Sequence, residues 1–338
     1  MISVLFSTAM YLNGIFNMHK VKEILLFIKN DSNYYMNRPE KVILRHYQIE
    51  GRKVIIYYAS YVYITLLAYL AAPGIPLLIG LVSSSNYSNE KSFLYEVNYG
   101  VDKEKYYYYI SLHSYTATTV VANLIATCDT TYMFYAHHAY ALFAIVTYQL
   151  KTLHIADTSQ LIDVKDSRLL EEYGNVKLLP REREKIYNKL LDCIKGHQNA
   201  IKYTNLIESL FSKSLLLQLF LNVLGLTITG VETVMKMDNI GDLMRFGTFT
   251  ISQTVHIFFL CLPGQKLVNH SEQMYTAACE VMWYVLPKKC HNLYILLLTK
   301  ALIPSKITAY NMASMTMETF LSIIQTAMSY FTVLLSTT

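Results

Sequence analysis

Long apolar segments that alternate with charged ones constrain the fold of this chain more than any other feature. Of its 338 residues, 53% are hydrophobic and only 16% are charged, and the mean hydropathy is +0.26. Soluble globular chains carry about 25% charged residues. Charges cluster at 20–53, 90–105 and 151–213, and the apolar runs between them are about 18–30 residues long, the length needed to cross hydrocarbon. The sequence therefore predicts an all-α, polytopic helical membrane protein rather than a soluble chain with a very large helical core.

Six apolar runs are long enough to span a bilayer. They cover 1–18, about 54–82, 113–148, 206–232, 245–264 and 313–336. The run 291–304 is too short to cross, so we expect an interfacial or re-entrant helix there. Residues 113–150 would form a helix of about 57 Å, and the helical period of 186–213 continues into the fourth span. Helices of this length extend beyond the membrane, which predicts a packed cytoplasmic layer.

The distribution of lysine and arginine predicts the orientation of the spans. The loops 19–53, 151–205 and 265–312 hold eight, ten and five basic residues, whereas 83–112 and 233–244 hold three and one. Loops rich in Lys and Arg lie on the cytoplasmic side. The three rich loops are therefore expected inside the cell, and both ends of the chain outside.

A glycosylation sequon supports this orientation. It begins at Asn86, in a loop that the charge pattern places outside, so Asn86 is a candidate glycosylation site. The chain begins directly in an apolar run, without the basic region that precedes a signal peptide. We therefore expect that the first span is not a cleaved signal.

The motif content favours neither an enzyme nor a nucleic-acid-binding protein. The sequence has no GxSxG, HExxH or P-loop pattern, and its five cysteines form no CxxC pair. Such spacing predicts neither a zinc site nor a disulfide framework. The net charge of +5 belongs to particular loops, so we interpret it as a signal of topology. No cofactor or metal is expected.

An ordered set of residues near the C-terminus resembles a known family. It comprises Gly264-Gln265, Ser271, Trp283, Pro304, Ile307-Thr308-Ala309, Phe320 and the run Ser329-Tyr330-Phe331-Thr332-Val333-Leu334. Together these positions resemble the C-terminal hallmark of insect odorant receptors, in a style closest to the hymenopteran branch. The blocks 137–153 and 190–222 agree with that resemblance. Cys279 departs from a common Tyr, and Tyr310-Asn311 replace a common Gly-Lys.

The resemblance implies a ligand-gated, non-selective cation channel in the plasma membrane. Four subunits would surround a central pore lined by the last span, and the partner would be the shared co-receptor, Orco, in a heterotetramer. The implied organisation is a membrane bundle with an odorant pocket over 1–260, a cytoplasmic anchor over 261–312 and a pore-lining span over 313–338. The family has seven spans, and this chain matches it from the second onward, so we expect that the first is missing.

The resemblance also implies three groups of site residues. The pore group has Val333 as the hydrophobic constriction and Ser336 as the polar ring outside it, with the neighbours Thr326, Ser329 and Thr332. The pocket for a small volatile ligand would be lined by Phe6, Met10, Tyr63, Leu67, Leu70, Thr118, Thr119, Ala122, Phe246 and Thr250. The subunit anchor would use Met274, Tyr275, Val281, Trp283 and Tyr284. The alternatives are packing of the helix against its own bundle for the pore group, ordinary core or lipid contact for the pocket group, and docking on the membrane face for the anchor group.

Polar residues inside the apolar runs form a separate group of candidates. The group is Asn123, Asp129, His137, His138, Gln218, Asn222 and Gln253. A charged residue at mid-bilayer costs roughly 2.5–3.5 kcal/mol, so Asp129 is expected to face protein or water. A metal site from Asp129, His137 and His138 is disfavoured because adjacent histidines point to different helix faces. The alternative functions are a gustatory receptor of the same fold and a secondary transporter.

Overall fold

The computed structural model describes residues 2–74, 93–95, 100, 102–153, 180–235 and 240–337. These residues form eight α-helices, which confirms the all-α prediction. The helices are α1 (Ile2–Phe16), α2 (Met18–Tyr35), α3 (Lys41–Ala71), α4 (Tyr107–Lys151), α5 (Pro180–Met235), α6 (Ile240–Cys279), α7 (Lys288–Ala301) and α8 (Met317–Thr337). Single 3₁₀ turns cover Ala72–Gly74 and Trp283–Val285, and two short strands, β1 (Thr308–Ala309) and β2 (Ala313–Ser314), pair antiparallel. The predicted glycosylation site, Asn86, lies outside the described residues.

Segment 19–53, predicted as a cytoplasmic loop, is helical. It holds α2 and the first part of α3, which begins at Lys41 rather than near residue 54. The two helices bury Ile24 and Leu44 and expose most of their lysines and arginines. Positive charge identifies the side of a membrane on which a segment lies, and it does not report whether that segment is helical.

Helices α4 and α5 are far longer than a bilayer is thick. They contain 45 and 56 residues, which correspond to about 68 Å and 84 Å, against roughly 30 Å of hydrocarbon. The prediction that 186–213 continues as helix into the fourth span is confirmed. The C-terminal half of α4 is almost continuously buried from Tyr132 to Val146, so the best-packed part of the molecule lies at one end of the bundle.

Small residues allow the helices at this end to approach closely. Ala136 and Ala139 of α4 and Ala200 of α5 are fully buried. A Cβ added at Gly51 of α3 would lie 2.9 Å from the His137 ring carbon Cγ, which is closer than carbon atoms pack. The absence of side-chain volume at these positions therefore sets the spacing of α3, α4 and α5.

Three helical segments are both long and apolar enough to cross a membrane. Within the residues that the structure describes, they are Lys41–Gly74, Pro180–Met235 and Phe246–Cys279. The many tyrosines and threonines of α4 lower its mean hydropathy, and α1 has only 15 residues. The count of six spans stays a prediction.

A short hairpin connects α7 to α8. The predicted helix at 291–304 is confirmed as the 14-residue α7, and the chain then forms β1 and β2. Tyr310 and Asn311 in the turn have φ angles of 52° and 57°, the left-handed region where glycine is favoured. These two residues stand where the resembling family commonly has Gly-Lys, and both adopt the left-handed conformation although neither is glycine.

Candidate functional site

A buried carboxylate joins four helices in the middle of the bundle. Asp129 of α4 is 2% exposed. Its Oδ2 accepts a hydrogen bond of 2.5 Å from the Tyr58 hydroxyl of α3 and lies 2.8 Å from Nε2 of His256 of α6. Nε2 of Gln218, on α5, lies 3.4 Å from Oδ1. Asp129 therefore satisfies the requirement that an ionisable group within a membrane faces protein partners.

A second layer of polar contacts lies beside this cluster. The Tyr61 hydroxyl donates to the Ser252 carbonyl oxygen at 2.6 Å, and Nε2 of Gln253 lies 3.4 Å from Oδ1 of Asn222. Four buried amide atoms of the described residues have no hydrogen-bond partner, and three of them lie in these polar clusters: Gln218 Oε1, Asn222 Nδ2 and Gln253 Oε1. Buried amides are normally satisfied by protein or ordered water. This layer can therefore take up water or change its pairing when the helices move.

The histidines of α4 do not join Asp129. Nδ1 of His137 lies 2.8 Å from the Met133 carbonyl oxygen, and Nε2 of His138 lies 3.0 Å from Oδ2 of Asp31 on α2. In the described part of the chain, no three His, Cys, Asp or Glu side chains are grouped for a metal. The disfavoured metal hypothesis for Asp129, His137 and His138 thus receives no support.

One predicted pocket residue of α3, Tyr63, contacts α4 through Asn123, which is not among the predicted pocket residues. The Tyr63 hydroxyl donates to Oδ1 of Asn123 at 2.8 Å. The hydroxyls of Thr118 and Thr119 each donate at 2.8 Å to the carbonyl oxygen four residues earlier on their own helix. Leu67 is exposed, and Leu70 and Ala122 are half-buried. The hydroxyl protons that would orient a ligand are thus engaged within the protein.

The remaining pocket candidates lie on other helices. Thr250 of α6 donates to the Phe246 carbonyl oxygen at 2.9 Å, and its Oγ1 lies 3.4 Å from that of Thr233 on α5. The side chains of Phe6 and Met10 lie outside the described residues. The assignment of these ten residues to one ligand pocket stays a prediction.

The hydroxyl groups of α8 form one uncovered stripe. Ser322, Gln325, Ser329, Thr332 and Ser336 are all exposed, and they recur at the three- and four-residue spacing of one helix face. The opposite face carries Ile323 and Ala327, which are buried against the bundle. Val333, predicted as the constriction, is 59% exposed beside the stripe. The uncovered surface of α8 therefore contains this polar stripe, flanked by the exposed apolar side chains of Leu321, Met328 and Val333.

Each hydroxyl of the predicted pore group donates to its own helix backbone. Thr326 donates to Ser322, Ser329 to Gln325, Thr332 to Ser329 and Ser336 to Val333, at distances of 2.7–2.9 Å. This local pairing satisfies the hydroxyl protons and leaves the oxygen lone pairs directed outward. Thr326 is half-buried, at the edge of the stripe.

Helix α6 holds the beginning of α8. The Gln265 side-chain oxygen accepts a hydrogen bond of 3.1 Å from the Met317 backbone N–H. A Cβ at Gly264 would overlap the Met315 carbonyl oxygen, so only glycine permits this approach. The sequence identified Gly264-Gln265 as part of a motif, and the structure supplies the physical reason for both residues.

The predicted anchor residues divide into buried and exposed ones. Met274 and Val281 pack in this chain's own core, and Tyr275 is half-buried. Trp283 and Tyr284 are 55% and 60% exposed and lie in a 3₁₀ turn rather than a helix. The apolar side chains of Leu302, Ile303 and Met312 and the ring of Tyr310, which follow α7 along the chain, are also exposed. The use of these residues in subunit contact stays a prediction.

A family model described as 7tm Odorant receptor matches residues 3–328. The chain belongs to the odorant receptor family. The family is one of membrane-embedded, multi-pass receptors rather than enzymes. The resemblance inferred from the C-terminal residues is thereby confirmed over nearly the whole chain.

Odorant receptors of Drosophila melanogaster are among the similar proteins. This receptor is 24% identical to odorant receptor 13a over 160 residues, which are 44% of this chain and 38% of that protein. It is 23% identical to odorant receptor 33a over 162 residues, which are 48% of this chain and 42% of that protein. The matched segments cover less than half of these relatives' length.

Solved insect olfactory receptors share the fold. The structure of receptor OR5 from Machilis hrabei in complex with eugenol has a TM-score of 0.69 at 15% identity and covers 99% of this chain and 80% of that one. A second structure of OR5 from Machilis hrabei gives the same TM-score of 0.69 at 14% identity, and the match covers 99% of this chain and 79% of that chain. The fold of this odorant receptor is therefore that of the insect olfactory receptors.

Several residues of the site were not found from the sequence. Tyr58 and His256 lie within apolar runs, as Asp129 does, and the same search for polar residues in spans would have identified His256. Gln325 completes the α8 stripe and could have been found by extending the three- and four-residue spacing from Ser329. The capping role of Gln265 depends on a contact between segments that are distant in the sequence. No local sequence pattern therefore indicates it.

Proposed function

We propose that this chain is a subunit of a ligand-gated, non-selective cation channel that binds a small volatile or hydrocarbon ligand within the plasma membrane. The observation that carries the proposal is the polar stripe of α8, which this chain's own bundle leaves uncovered. A polar stripe on a membrane helix requires protein or water against it. A water-filled pore shared by four subunits meets that requirement.

The gate in this proposal is hydrophobic. Val333 lies beside the stripe, near the end of α8, and a ring of apolar side chains closes a pore by dewetting. Ser336 and Ser329, one turn to either side, would keep the pore hydrated above and below the ring. Opening then requires only that the four α8 helices move apart.

The ligand in this proposal lies between the helices that hold Tyr63, Thr118, Thr119 and Ala122. Ligand pockets are mostly apolar and have a few polar groups that fix orientation. The Tyr63–Asn123 hydrogen bond supplies such a group, since a ligand hydroxyl or carbonyl can replace one partner. OR5 of Machilis hrabei was solved with eugenol, which supports a small organic ligand for the fold.

The Asp129 cluster and the Gln265 cap provide a route from ligand to gate. Asp129, Tyr58 and His256 tie α3, α4 and α6 together, and Gln265 ties α6 to the start of α8. A ligand that shifts α3 or α4 would displace α6, and through it α8. The partner is a co-receptor subunit, docked on the exposed rings of Trp283 and Tyr284, since exposed aromatic side chains suit a protein interface.

Expression of the chain with and without the co-receptor tests the proposal. We expect a cation current evoked by volatile ligands from cells that contain both chains, and little current from this chain alone. The control is the co-receptor alone, exposed to the same ligands. Ligand-dependent uptake of a solute without ionic current would contradict the channel and favour a transporter.

A further inference from the structure

A cleft lies between α1 and α5, on a side of α5 that the proposed gate does not use. It has a volume of about 140 Å³ and is lined by Ala9, Asn13, Lys213, Ser214 and Leu217. This is several times the roughly 30 Å³ that one water occupies in the liquid. The Asn13 amide donates to the Leu210 carbonyl oxygen at 3.0 Å and so holds the two helices together at the cleft.

The charge pattern of α5 places this cleft at the edge of the membrane. Lys213 is the last charged residue before 18 uncharged ones, 214–231, and Glu232 follows them. In a helix these residues measure about 27 Å, close to the roughly 30 Å of bilayer hydrocarbon. Lys213 therefore lies at the level of the lipid headgroups.

A second lysine reaches the same level from the other helix. Nζ of Lys20, at the start of α2, donates to the Ser209 carbonyl oxygen at 2.9 Å, and Ser209 lies one turn before Lys213. An ammonium group has three donors, so Lys20 keeps two for another acceptor. Across the described segments, neither lysine forms an ion pair with an acidic side chain.

We propose that this cleft is a binding site for an anionic glycerophospholipid. The two ammonium groups would hold the phosphate, and an acyl chain would lie along Ala9 and the exposed Leu217. Basic pockets between membrane helices bind anionic headgroups in this way on the cytoplasmic side, the side on which the loop charges place Lys20. The site does not depend on the proposed channel function.

Spin-labelled lipids test the site in the full chain reconstituted into phosphatidylcholine vesicles. We expect labelled phosphatidylserine to be immobilised by the protein in preference to labelled phosphatidylcholine. Lys213→Gln and Lys20→Gln should each lower that preference about fivefold, because each lysine near the surface contributes about that factor. Lys213→Arg should retain it.

Two further variants distinguish lipid binding in the cleft from general attraction of anionic lipids to surface charge. Ala9→Leu fills the cleft without changing charge, so it should lower the preference, and it also supplies the test if Lys213→Gln fails to fold. Lys22→Gln removes an exposed lysine outside the cleft and should leave the preference intact. An unchanged preference in Lys213→Gln and Ala9→Leu, or an equal loss in Lys22→Gln, would overturn the proposal.

Discussion

The Gln265 side-chain oxygen accepts a hydrogen bond from the Met317 backbone N–H at 3.1 Å. The first N–H groups of a helix have no partner within it, so a residue of α6 caps the N-terminus of α8. The position of the polar stripe is thereby linked to the position of α6. This contact, with the Asp129 cluster, connects the ligand-facing helices to the gate in the proposed mechanism.

Removal of this cap should weaken both stability and gating. Gln265→Ala should lower the free energy of unfolding by about 1 kcal/mol, the usual cost of a lost N-terminal cap, and should reduce the maximal ligand-evoked current. Gln265→Glu keeps an acceptor and adds a negative charge that a helix N-terminus favours, so it should retain both properties. Thermal unfolding and whole-cell current measure the two effects. A fully active, equally stable Gln265→Ala would contradict the link.

Gly264→Ala should destabilise the protein strongly. The added Cβ would overlap the Met315 carbonyl oxygen, and backbone cannot move aside as a flexible side chain can. Overpacking typically costs about 1–3 kcal/mol, and α8 would have to shift. The matched control is Gly14→Ala, because nothing lies within 4 Å of a Cβ at Gly14. Thermal unfolding of both variants in the same detergent measures the difference. Equal unfolding midpoints for Gly264→Ala and Gly14→Ala would contradict the prediction.

Asp129 and His256 should act as a coupled pair. Asp129→Ala removes the acceptor of the Tyr58 hydroxyl and the partner of His256, and a buried polar group left without a hydrogen bond costs about 1–3 kcal/mol. A double-mutant cycle with Asp129→Asn and His256→Gln should give a coupling energy of about 0.5–3 kcal/mol. Thermal or denaturant unfolding of the four proteins measures it. Strict additivity would show that the two side chains are neighbours without an energetic interaction.

His197 should make the packing between α4 and α5 sensitive to acid, because its ring contacts Phe143. Burial lowers the pKa of His197 from 6.5 to about 4, so the unfolded chain binds a proton more readily than the folded one. The stabilisation from neutral His197 is complete above pH 6.5 and is lost as the pH falls toward 4. His197→Gln should reduce the decline in unfolding temperature between pH 7 and pH 4.5. The exposed His46, changed to Gln, is the control, and an identical decline in all three proteins would contradict the prediction.

The helices of this fold could be predicted because their signals are local. Apolar runs located α3, α5 and α6, and the helical period before residue 213 correctly predicted that α5 is continuous through that residue. Segment 19–53 was described as a loop, since lysine and arginine counts report the side of the membrane and not the conformation. The φ angles of Tyr310 and Asn311 could not be foreseen, because their environment comes from Ser212, whose Oγ accepts the Tyr310 N–H at 2.7 Å.

The central residue of the candidate site could be predicted from the sequence, but its partners could not. A carboxylate within an apolar run is costly wherever it lies, so Asp129 could be selected from the sequence. Its partners could not, because Tyr58 and His256 are 71 and 127 residues away along the chain and meet it only after four helices pack. The same holds for Gln265, whose partner on α8 is 52 residues later.

Cysteine substitution along α8 tests the central claim, that its polar stripe lines a water-filled pore. In channels formed with the co-receptor, a charged thiol reagent added from outside should block the ligand-evoked current in Ser336→Cys and Ser329→Cys. It should leave Ala327→Cys unaffected, because Ala327 is buried against the bundle. Block at Ala327 with no effect at Ser329 and Ser336 would contradict the claim and place the other face of α8 toward the pore.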